Sequence, residues 1–218
     1  MRRRELLLGG VTWLTLAGSA RATPAVGRSV SLINANTGET FSGQYRNGSG
    51  PLPSAMTDLA ELLRDHHSNT IGPLEVPLID LLADVMEASG QATATILSGY
   101  RTPETNARLA ATTFGVAEKS QHLLGRAVDV YFEHRLADAE KAARGMQRGG
   151  VGWYPDSRFV HLDTGPVRHW ELRSGSFRTM LAAAHPAHPL GGARTLADRH
   201  AIHRALARHE FLIRHRSK

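Results

Sequence analysis

The sequence predicts an α+β fold in which a mostly antiparallel sheet is flanked by helices. The length of 218 residues gives one domain with appendages, and 41% hydrophobic with 21% charged residues is a globular composition. Several short segments alternate apolar and polar residues with the period of a β-strand. Strands and helices follow one another without a regular βαβ rhythm, which favours the α+β class.

The first half of the chain predicts a β-hairpin followed by two helices. The hairpin covers residues 30–45, and a loop rich in Gly and Pro follows at 47–51. Apolar residues at helical spacing then predict a helix around 56–63 and a second helix around 78–86, which ends at Gly90.

In the second half of the chain, two predicted strands place polar side chains opposite an aliphatic face. Asp129 lies opposite its valine neighbours in one strand, and His161 and Asp163 lie opposite Val160 and Leu162 in the other. The predicted elements of this half are a strand at 93–97, a helix from Pro103 to about Thr113, a loop at 115–124, a strand at 126–132, a helix at 136–146, a glycine-rich strand start at 149–154 and a strand at 158–163.

The positive charge is concentrated at the two ends of the chain. The formal net charge is +6, yet residues 23–175 carry 14 basic and 17 acidic residues. This mildly acidic body predicts no nucleic-acid partner. Residues 175–218 are predicted to form a basic, His-rich C-terminal extension, which either binds an anionic envelope polymer or lipid or is a solvated tail.

The amino end has the three parts of a secretory signal peptide. Residues 1–22 contain a basic head, an apolar stretch from Leu6 to Ala17, and an A-x-A cleavage site that ends at Ala22. The apolar stretch is shorter than the ~20 residues that span a bilayer, so no transmembrane segment is predicted after signal removal. The head resembles a twin-arginine signal at Arg3-Arg4, with a Sec signal as the alternative. The predicted location is exported, in the periplasm or cell envelope.

The absence of cysteine limits any metal site to His and carboxylate ligands. A single His near a single Asp is more often structural than metal-binding. Here His122, Asp129 and His161 supply two imidazoles and one carboxylate, and a buried Asp129 needs a partner. The three residues are the ligand set of a catalytic zinc site, with the fourth tetrahedral position left for water.

Four motifs stand out in residues 98–165. They are Ser98-Gly99-Tyr100-Arg101-Thr102, Ser120-x-His122-x-x-Gly125-x-Ala127-x-Asp129, Gly150-Val151-Gly152 and Phe159-Val160-His161-x-Asp163-x-Gly165. Together they resemble the motifs of the zinc D-Ala-D-Ala carboxypeptidase group, with the closest match to the small exported murein endopeptidases, and the resemblance covers about residues 26–173. It implies the antiparallel sheet flanked by helices that lysostaphin-type peptidases and the hedgehog signalling domain share, and zinc-dependent cleavage of peptidoglycan stem peptides or cross-links.

The resemblance assigns roles to four residues of this chain. It implies that His122, Asp129 and His161 bind Zn²⁺, and that Arg101 lies over the cleft and holds a substrate carboxylate or carbonyl oxygen. Arginine suits this role because its guanidinium is always charged and forks onto carboxylates. The alternative for Arg101 is a solvated turn residue beside Pro103.

One departure from the family pattern leaves the general base open. Many carboxypeptidases of the group carry Glu or Asp three residues before the last His, whereas this chain has Arg158. Asp163 is a candidate for the base or for an acceptor that orients an imidazole, and Asp156 is a weaker candidate. His169 is a candidate proton donor or transition-state stabiliser, with a solvated or packed His as the alternative.

Three aromatic residues near the predicted zinc strands have two interpretations. Trp153, Tyr154 and Trp170 either wall a groove for a peptide or sugar or belong to the core, and at least one of them is expected in the core.

These observations predict three parts of the chain and one main function. The parts are a signal peptide at 1–22, a zinc peptidase domain at 23–174 and the C-terminal extension at 175–218. The predicted function is a zinc metallopeptidase that hydrolyses peptide bonds of peptidoglycan, most of all cross-links between stem peptides. The alternatives are a D-Ala-D-Ala carboxypeptidase and a zinc-containing module that binds cell-wall peptide without cutting it.

Overall fold

A computed structural model describes residues 27–112 and 116–173 of the chain. The predicted signal peptide, the predicted C-terminal extension and Thr113 lie outside the described residues. The strands are β1 (Arg28–Asn34), β2 (Thr40–Asn47), β3 (Gly50–Pro51), β4 (Ala94–Ser98), β5 (Ala127–Tyr131), β6 (Gly150–Tyr154), β7 (Phe159–Asp163) and β8 (Arg168–Glu171). The helices are α1 (Pro53–Leu62), α2 (Val76–Ser89), α3 (Pro103–Thr112), a 3₁₀ helix (Gln121–Leu124) and α4 (Leu136–Met146).

The described strands form one eight-stranded sheet in the order β3-β2-β1-β4-β5-β7-β6-β8. The α+β class is confirmed, and the sheet is mixed because β1–β4 and β6–β8 are parallel pairs. The chain reaches β4 from the β1–β2 hairpin through α1 and α2, and such a long connection is what a parallel neighbour requires. The other pairs are antiparallel.

The core lies on one face of the central strands. Val128, Val130, Val160 and Leu162 are each at most 1% exposed and belong to the main apolar cluster. Helices α2 and α4 pack against each other and against β7 on this face. Burial of one such side chain stabilises the fold by about 1.5–3 kcal/mol, so this packing fixes which face of β5 and β7 turns away from the helices.

Helix α2 begins and ends where its sequence signals indicate. Pro77 lies in its first turn, where a missing N–H costs nothing. Gly90 follows its last residue with φ of 67°, the left-handed conformation that glycine adopts without strain. Buried leucines such as Leu78 and Leu82 carry the predicted apolar stripe.

The structure differs from the predicted elements at three places. Gly50–Pro51 is a short strand paired with the end of β2, where a loop was expected. Gln121–Leu124 forms a 3₁₀ helix inside the predicted 115–124 loop. Strand β8 at Arg168–Glu171 was not predicted, because four residues with exposed charged ends give little alternation signal.

In the described part of the chain, no helix combines the length and the apolar composition that crossing a bilayer requires.

Candidate active site

Three side chains from three elements converge on the sheet face that points away from α2 and α4. His122 comes from the 3₁₀ helix, Asp129 from β5 and His161 from β7, and Asp129 is the register partner of His161. The Nδ1 atom of His161 lies 2.9 Å from Oδ1 of Asp129 and 3.2 Å from Nε2 of His122. The Nε2 atom of His122 lies 3.4 Å from the same Oδ1. All three side chains are buried.

The 3₁₀ helix that carries His122 is defined by the residues on either side of it. The Ser120 hydroxyl accepts a hydrogen bond from the backbone N–H of His122 at 3.3 Å and caps the turn. Gly125 ends it with φ of 65°, and a Cβ there would lie 1.9 Å from the carbonyl oxygen of Pro73. Only glycine fits this position, so the Ser120 and Gly125 positions of the motif have local structural reasons.

Each imidazole makes a second hydrogen bond through its other ring nitrogen. Nδ1 of His122 donates to the carbonyl oxygen of Gly99 at 2.6 Å. The carbonyl oxygen of Gly99 can only accept, so the proton of neutral His122 lies on Nδ1 and its Nε2 lone pair faces the site. His161 lies between two carboxylates, with Nδ1 2.9 Å from Asp129 and Nε2 2.9 Å from Asp163. In the tautomer protonated at Nε2, the Nδ1 lone pair of His161 also faces the site.

In that tautomer three acceptor atoms face one another, an arrangement that a bound cation stabilises. The set of His122, Asp129 and His161 is the group of metal-ligating side chains found in the described residues, with all ligand atoms within 4.8 Å of one another. Two nitrogens and one carboxylate oxygen, each held by an outer hydrogen bond, match a catalytic zinc site with an open position. The residues present fit this metal.

The electrostatics of the site favour the same conclusion. Burial lowers the pKa of His122 to about 4, so its imidazole is neutral and keeps its lone pair at neutral pH. Burial opposes the charge of Asp129, but the neighbouring His122 and Arg101 hold the pKa of this carboxyl well below its usual range. Burial also opposes a charge on His161, yet the carboxylates of Asp129 and Asp163 on either side of the ring raise its pKa. The pocket between the two carboxylates thus favours positive charge.

Asp163 is an ionised acceptor whose two oxygens are both occupied. It is 0% exposed, and Oδ1 accepts from the backbone N–H groups of Gly150 and Gly165 at 3.2 and 2.8 Å. Arg168 forks onto it, with Nη1 to Oδ1 at 3.0 Å and Nη2 to Oδ2 at 2.7 Å. Burial raises its pKa, but the hydrogen bonds from His161 and Arg168 outweigh burial and lower the pKa below the ordinary value. This geometry suits an orienting carboxylate better than a base.

Arg101 lies inside the site and pairs with Asp129. It is 8% exposed, its Nη2 donates to Oδ2 of Asp129 at 2.5 Å, and its Nε donates to the Ser98 hydroxyl at 2.8 Å. A buried carboxylate is costly without a cation, and Arg101 supplies that cation to the oxygen of Asp129 that points away from the histidines. The contact of Arg101 with a substrate carboxylate or carbonyl oxygen stays a prediction.

A family model described as peptidoglycan L,D-endopeptidase MepK matches residues 22–170. The chain belongs to this family.

Relatives within this family match most of the chain. The sequence is 38% identical over 178 residues to peptidoglycan L,D-endopeptidase MepK of Escherichia coli (strain K12). The matched segment covers 78% of this chain and 96% of the relative. The Shigella flexneri protein of the same name gives the same identity and coverage. A protein of Haemophilus influenzae named probable peptidoglycan L,D-endopeptidase MepK is 33% identical over 177 residues, 78% of this chain and 95% of the relative.

His169 is not brought to the site. Strand β8 pairs with β6 in parallel, so that Gly152 lies between His161 and Trp170, whereas Val151 is the register partner of His169. Alternation along β8 places His169 on the opposite face, where it is exposed. The expected proton-donor role of His169 is therefore not supported by its position.

Strand β8 instead brings Arg168 and Trp170 to the site. The sequence indicated no role for Arg168 and two alternative roles for Trp170, because strand β8 was not predicted. The Trp170 ring lies 5.2 Å from the His161 ring, centroid to centroid, and its Nε1 donates to the Tyr154 hydroxyl at 2.9 Å. Of the three aromatic candidates, Trp153 packs against the core, and Tyr154 and Trp170 form a wall beside His161.

Gly152 makes the close approach of Trp170 possible, and its substitution tests this wall. A Cβ at Gly152 would lie 2.6 Å from atoms Cε2 and Cζ2 of the Trp170 indole. We expect Gly152→Ala to displace the ring and to lower the free energy of unfolding by about 1–3 kcal/mol, the range for overpacking. Intrinsic tryptophan fluorescence and denaturant unfolding measure both effects.

Gly145→Ala is the matched control for Gly152→Ala. Gly145 lies in α4 and a Cβ there meets no atom within 4 Å. Glycine disfavours a helix, so we expect Gly145→Ala to keep the tryptophan fluorescence of the wild type and to raise the free energy of unfolding by up to about 1 kcal/mol. Equal behaviour of the two variants would contradict the packing role assigned to Gly152.

Proposed function

We propose that this chain is a zinc-dependent peptidoglycan endopeptidase that cleaves an L,D peptide bond. The observation that carries the proposal is the convergence of His122 Nε2, Asp129 Oδ1 and His161 Nδ1, three acceptors within 3.4 Å of one another, in a chain of the MepK family. The bond type comes from the printed names of the relatives.

His122, Asp129 and His161 would hold the zinc ion. When bound there, zinc supplies a Lewis acid that polarises a carbonyl oxygen and makes water a stronger acid. The protein's part is to present the three ligand atoms in a fixed arrangement before the substrate arrives.

The residues around the ligands provide this fixed arrangement. We assign Asp163 to orientation: it holds the Nε2 proton of His161 and so keeps Nδ1 directed at the site. Arg168 balances the charge of Asp163, and Arg101 does the same for Asp129. Each of these charge-assisted hydrogen bonds is roughly twice as strong as a neutral one, which limits rotation of the ligands.

Trp170 and Tyr154 are proposed to contact the substrate peptide. Their rings stand beside His161 on the same sheet face, and Tyr154 also stacks on Phe159 with centroids 4.2 Å apart. A wall of aromatic rings offers apolar contact area at little entropic cost and excludes water from one side of the reacting bond.

Incubation of the full chain with purified cross-linked muropeptides tests the function. We expect mass spectrometry to show new termini at the cross-link, and a chelator to stop their appearance. Release of terminal D-Ala alone would favour the carboxypeptidase alternative. Binding without any new terminus would favour the non-catalytic module and would contradict the proposal.

We also propose a fold for the peptidase domain and a role for each end of the chain. The peptidase domain at 23–174 is proposed to share the fold of lysostaphin-type peptidases and the hedgehog signalling domain. Residues 1–22 are proposed to direct export to the periplasm or cell envelope, which N-terminal sequencing of the exported protein would test. Residues 175–218 are proposed to bind an anionic envelope polymer; unchanged sedimentation with sacculi after their removal would contradict this.

A further inference from the structure

The arginines near the site differ in whether their guanidinium group already pairs with a carboxylate. Arg101 is paired with Asp129, and Arg168 is paired with Asp163. Both guanidinium groups therefore already pair with a carboxylate of the site. Arg158 differs from both, because among the described residues its guanidinium pairs with no carboxylate.

The backbone of Arg158 directs its side chain to the face of the metal ligands. Regular alternation from Val160 and Leu162 would place residue 158 on the helix-packed face. Arg158 instead has φ of 56°, and its N–H donates to the carbonyl oxygen of Pro155 at 3.2 Å, closing the turn between β6 and β7. This left-handed conformation is unfavourable for a residue with a Cβ, and glycine is the usual choice.

The guanidinium of Arg158 rests on Tyr131, which shares the sheet face of Asp129. Its Cζ atom lies 5.5 Å from the centroid of the Tyr131 ring, within cation–π distance. Tyr131 is two residues beyond Asp129 on β5, about 7 Å along the strand. A contact with a ring face leaves the N–H groups at the edge of the guanidinium available for a further partner.

We propose that Arg158 binds a free carboxylate of the peptide substrate and thereby selects peptides that carry one near the scissile bond. Tyr131 holds the guanidinium in place, and the left-handed backbone at Arg158 directs the charge to the sheet face that carries Asp129. The spacing of about 7 Å between Asp129 and Tyr131 along β5 equals the length of two residues of an extended peptide. The inference rests on the proposed peptidase function and deepens it by naming the group that is recognised.

The test compares two substrates that differ only in charge. One is a cross-linked muropeptide with its free carboxylates intact, and the other is the same compound with these groups converted to carboxamides. For the wild-type full chain we expect kcat/KM to be roughly 10–100-fold higher for the carboxylate, the range of one charge-assisted hydrogen-bonded contact. For Arg158→Gln we expect the two values to become equal, mainly through KM.

Arg158→Gly and Arg135→Gly form the matched pair for this test. Both arginines have positive φ, at 56° and 50°, and glycine adopts either conformation without strain. Arg135 precedes α4 and pairs with the exposed Asp138, away from the site. We expect both variants to fold, Arg158→Gly to lose the preference for the carboxylate, and Arg135→Gly to keep it.

The outcomes separate the inference from the function on which it rests. Wild-type preference that persists in both Arg158 variants would overturn the role of Arg158, and so would equal cleavage of both substrates by the wild type. Cleavage of neither substrate by the wild type would overturn the proposed function itself, and the inference with it.

Discussion

Replacing His161 with alanine is expected to abolish both tight zinc binding and peptidoglycan cleavage. His161 supplies Nδ1 to the ligand set and separates the carboxylates of Asp129 and Asp163. A three-ligand site that loses one ligand no longer holds the open tetrahedral geometry, and the two carboxylates are left to repel each other. Metal analysis after gel filtration should give about one zinc per wild-type chain and close to none for His161→Ala.

His134→Ala is the control for His161→Ala. His134 is an exposed histidine between β5 and α4, and its carbonyl oxygen accepts a hydrogen bond from the Gln91 side chain. The substitution leaves that carbonyl in place, so zinc content and cleavage should equal those of the wild type. Stoichiometric zinc in His161→Ala would show that the ligand assignment is wrong.

Asp163→Asn is expected to weaken zinc binding by roughly 10–100-fold without removing a ligand. The carboxylate accepts from His161 Nε2 and from the fork of Arg168, so a neutral amide loses the charge that fixes the imidazole and leaves Arg168 unpaired. We expect turnover at saturating zinc to fall as well, because His161 can then rotate. Competition with a chelating dye measures the affinity, and muropeptide hydrolysis measures the turnover.

Asp138→Asn provides the comparison for the loss of a carboxylate elsewhere. Asp138 is exposed on α4 and accepts from Arg135, a surface pair that contributes little. Its zinc affinity and turnover should match the wild type. Normal zinc affinity in Asp163→Asn would show that Asp163 does not orient His161. Normal turnover in addition would show that Asp163 takes no part in the reaction.

The directions of Asp129 and His161, two of the three proposed metal ligands, were predictable because alternation along two strands decides them, whereas His122 lies on a 3₁₀ helix that was not predicted. Val128 and Val130 must face the core, so Asp129 between them faces away, and Val160 and Leu162 impose the same on His161. Asp163 followed from the same alternation. Buried aliphatic neighbours thus determine where these polar side chains point.

The partners of the ligands could not be predicted in the same way. The sequence does not indicate that Arg101, which follows β4, reaches Asp129 on β5, since that contact depends on the packing of two distant segments. It also gives no strong signal for β8. Without that strand, Arg168 has no link to Asp163, and His169 cannot be assigned to the opposite face.

Titration of the metal-free full chain with zinc tests whether peptidoglycan cleavage depends on zinc bound at His122, Asp129 and His161. Cross-linked muropeptide is the substrate, and the new termini are identified by mass spectrometry at each zinc concentration. We expect no cleavage without metal, cleavage that rises with added zinc and levels off at about one equivalent per chain, and no response in His161→Ala. Cleavage by the metal-free chain at the full rate, or no cleavage at any zinc concentration, would show that the chain is not a zinc-dependent endopeptidase.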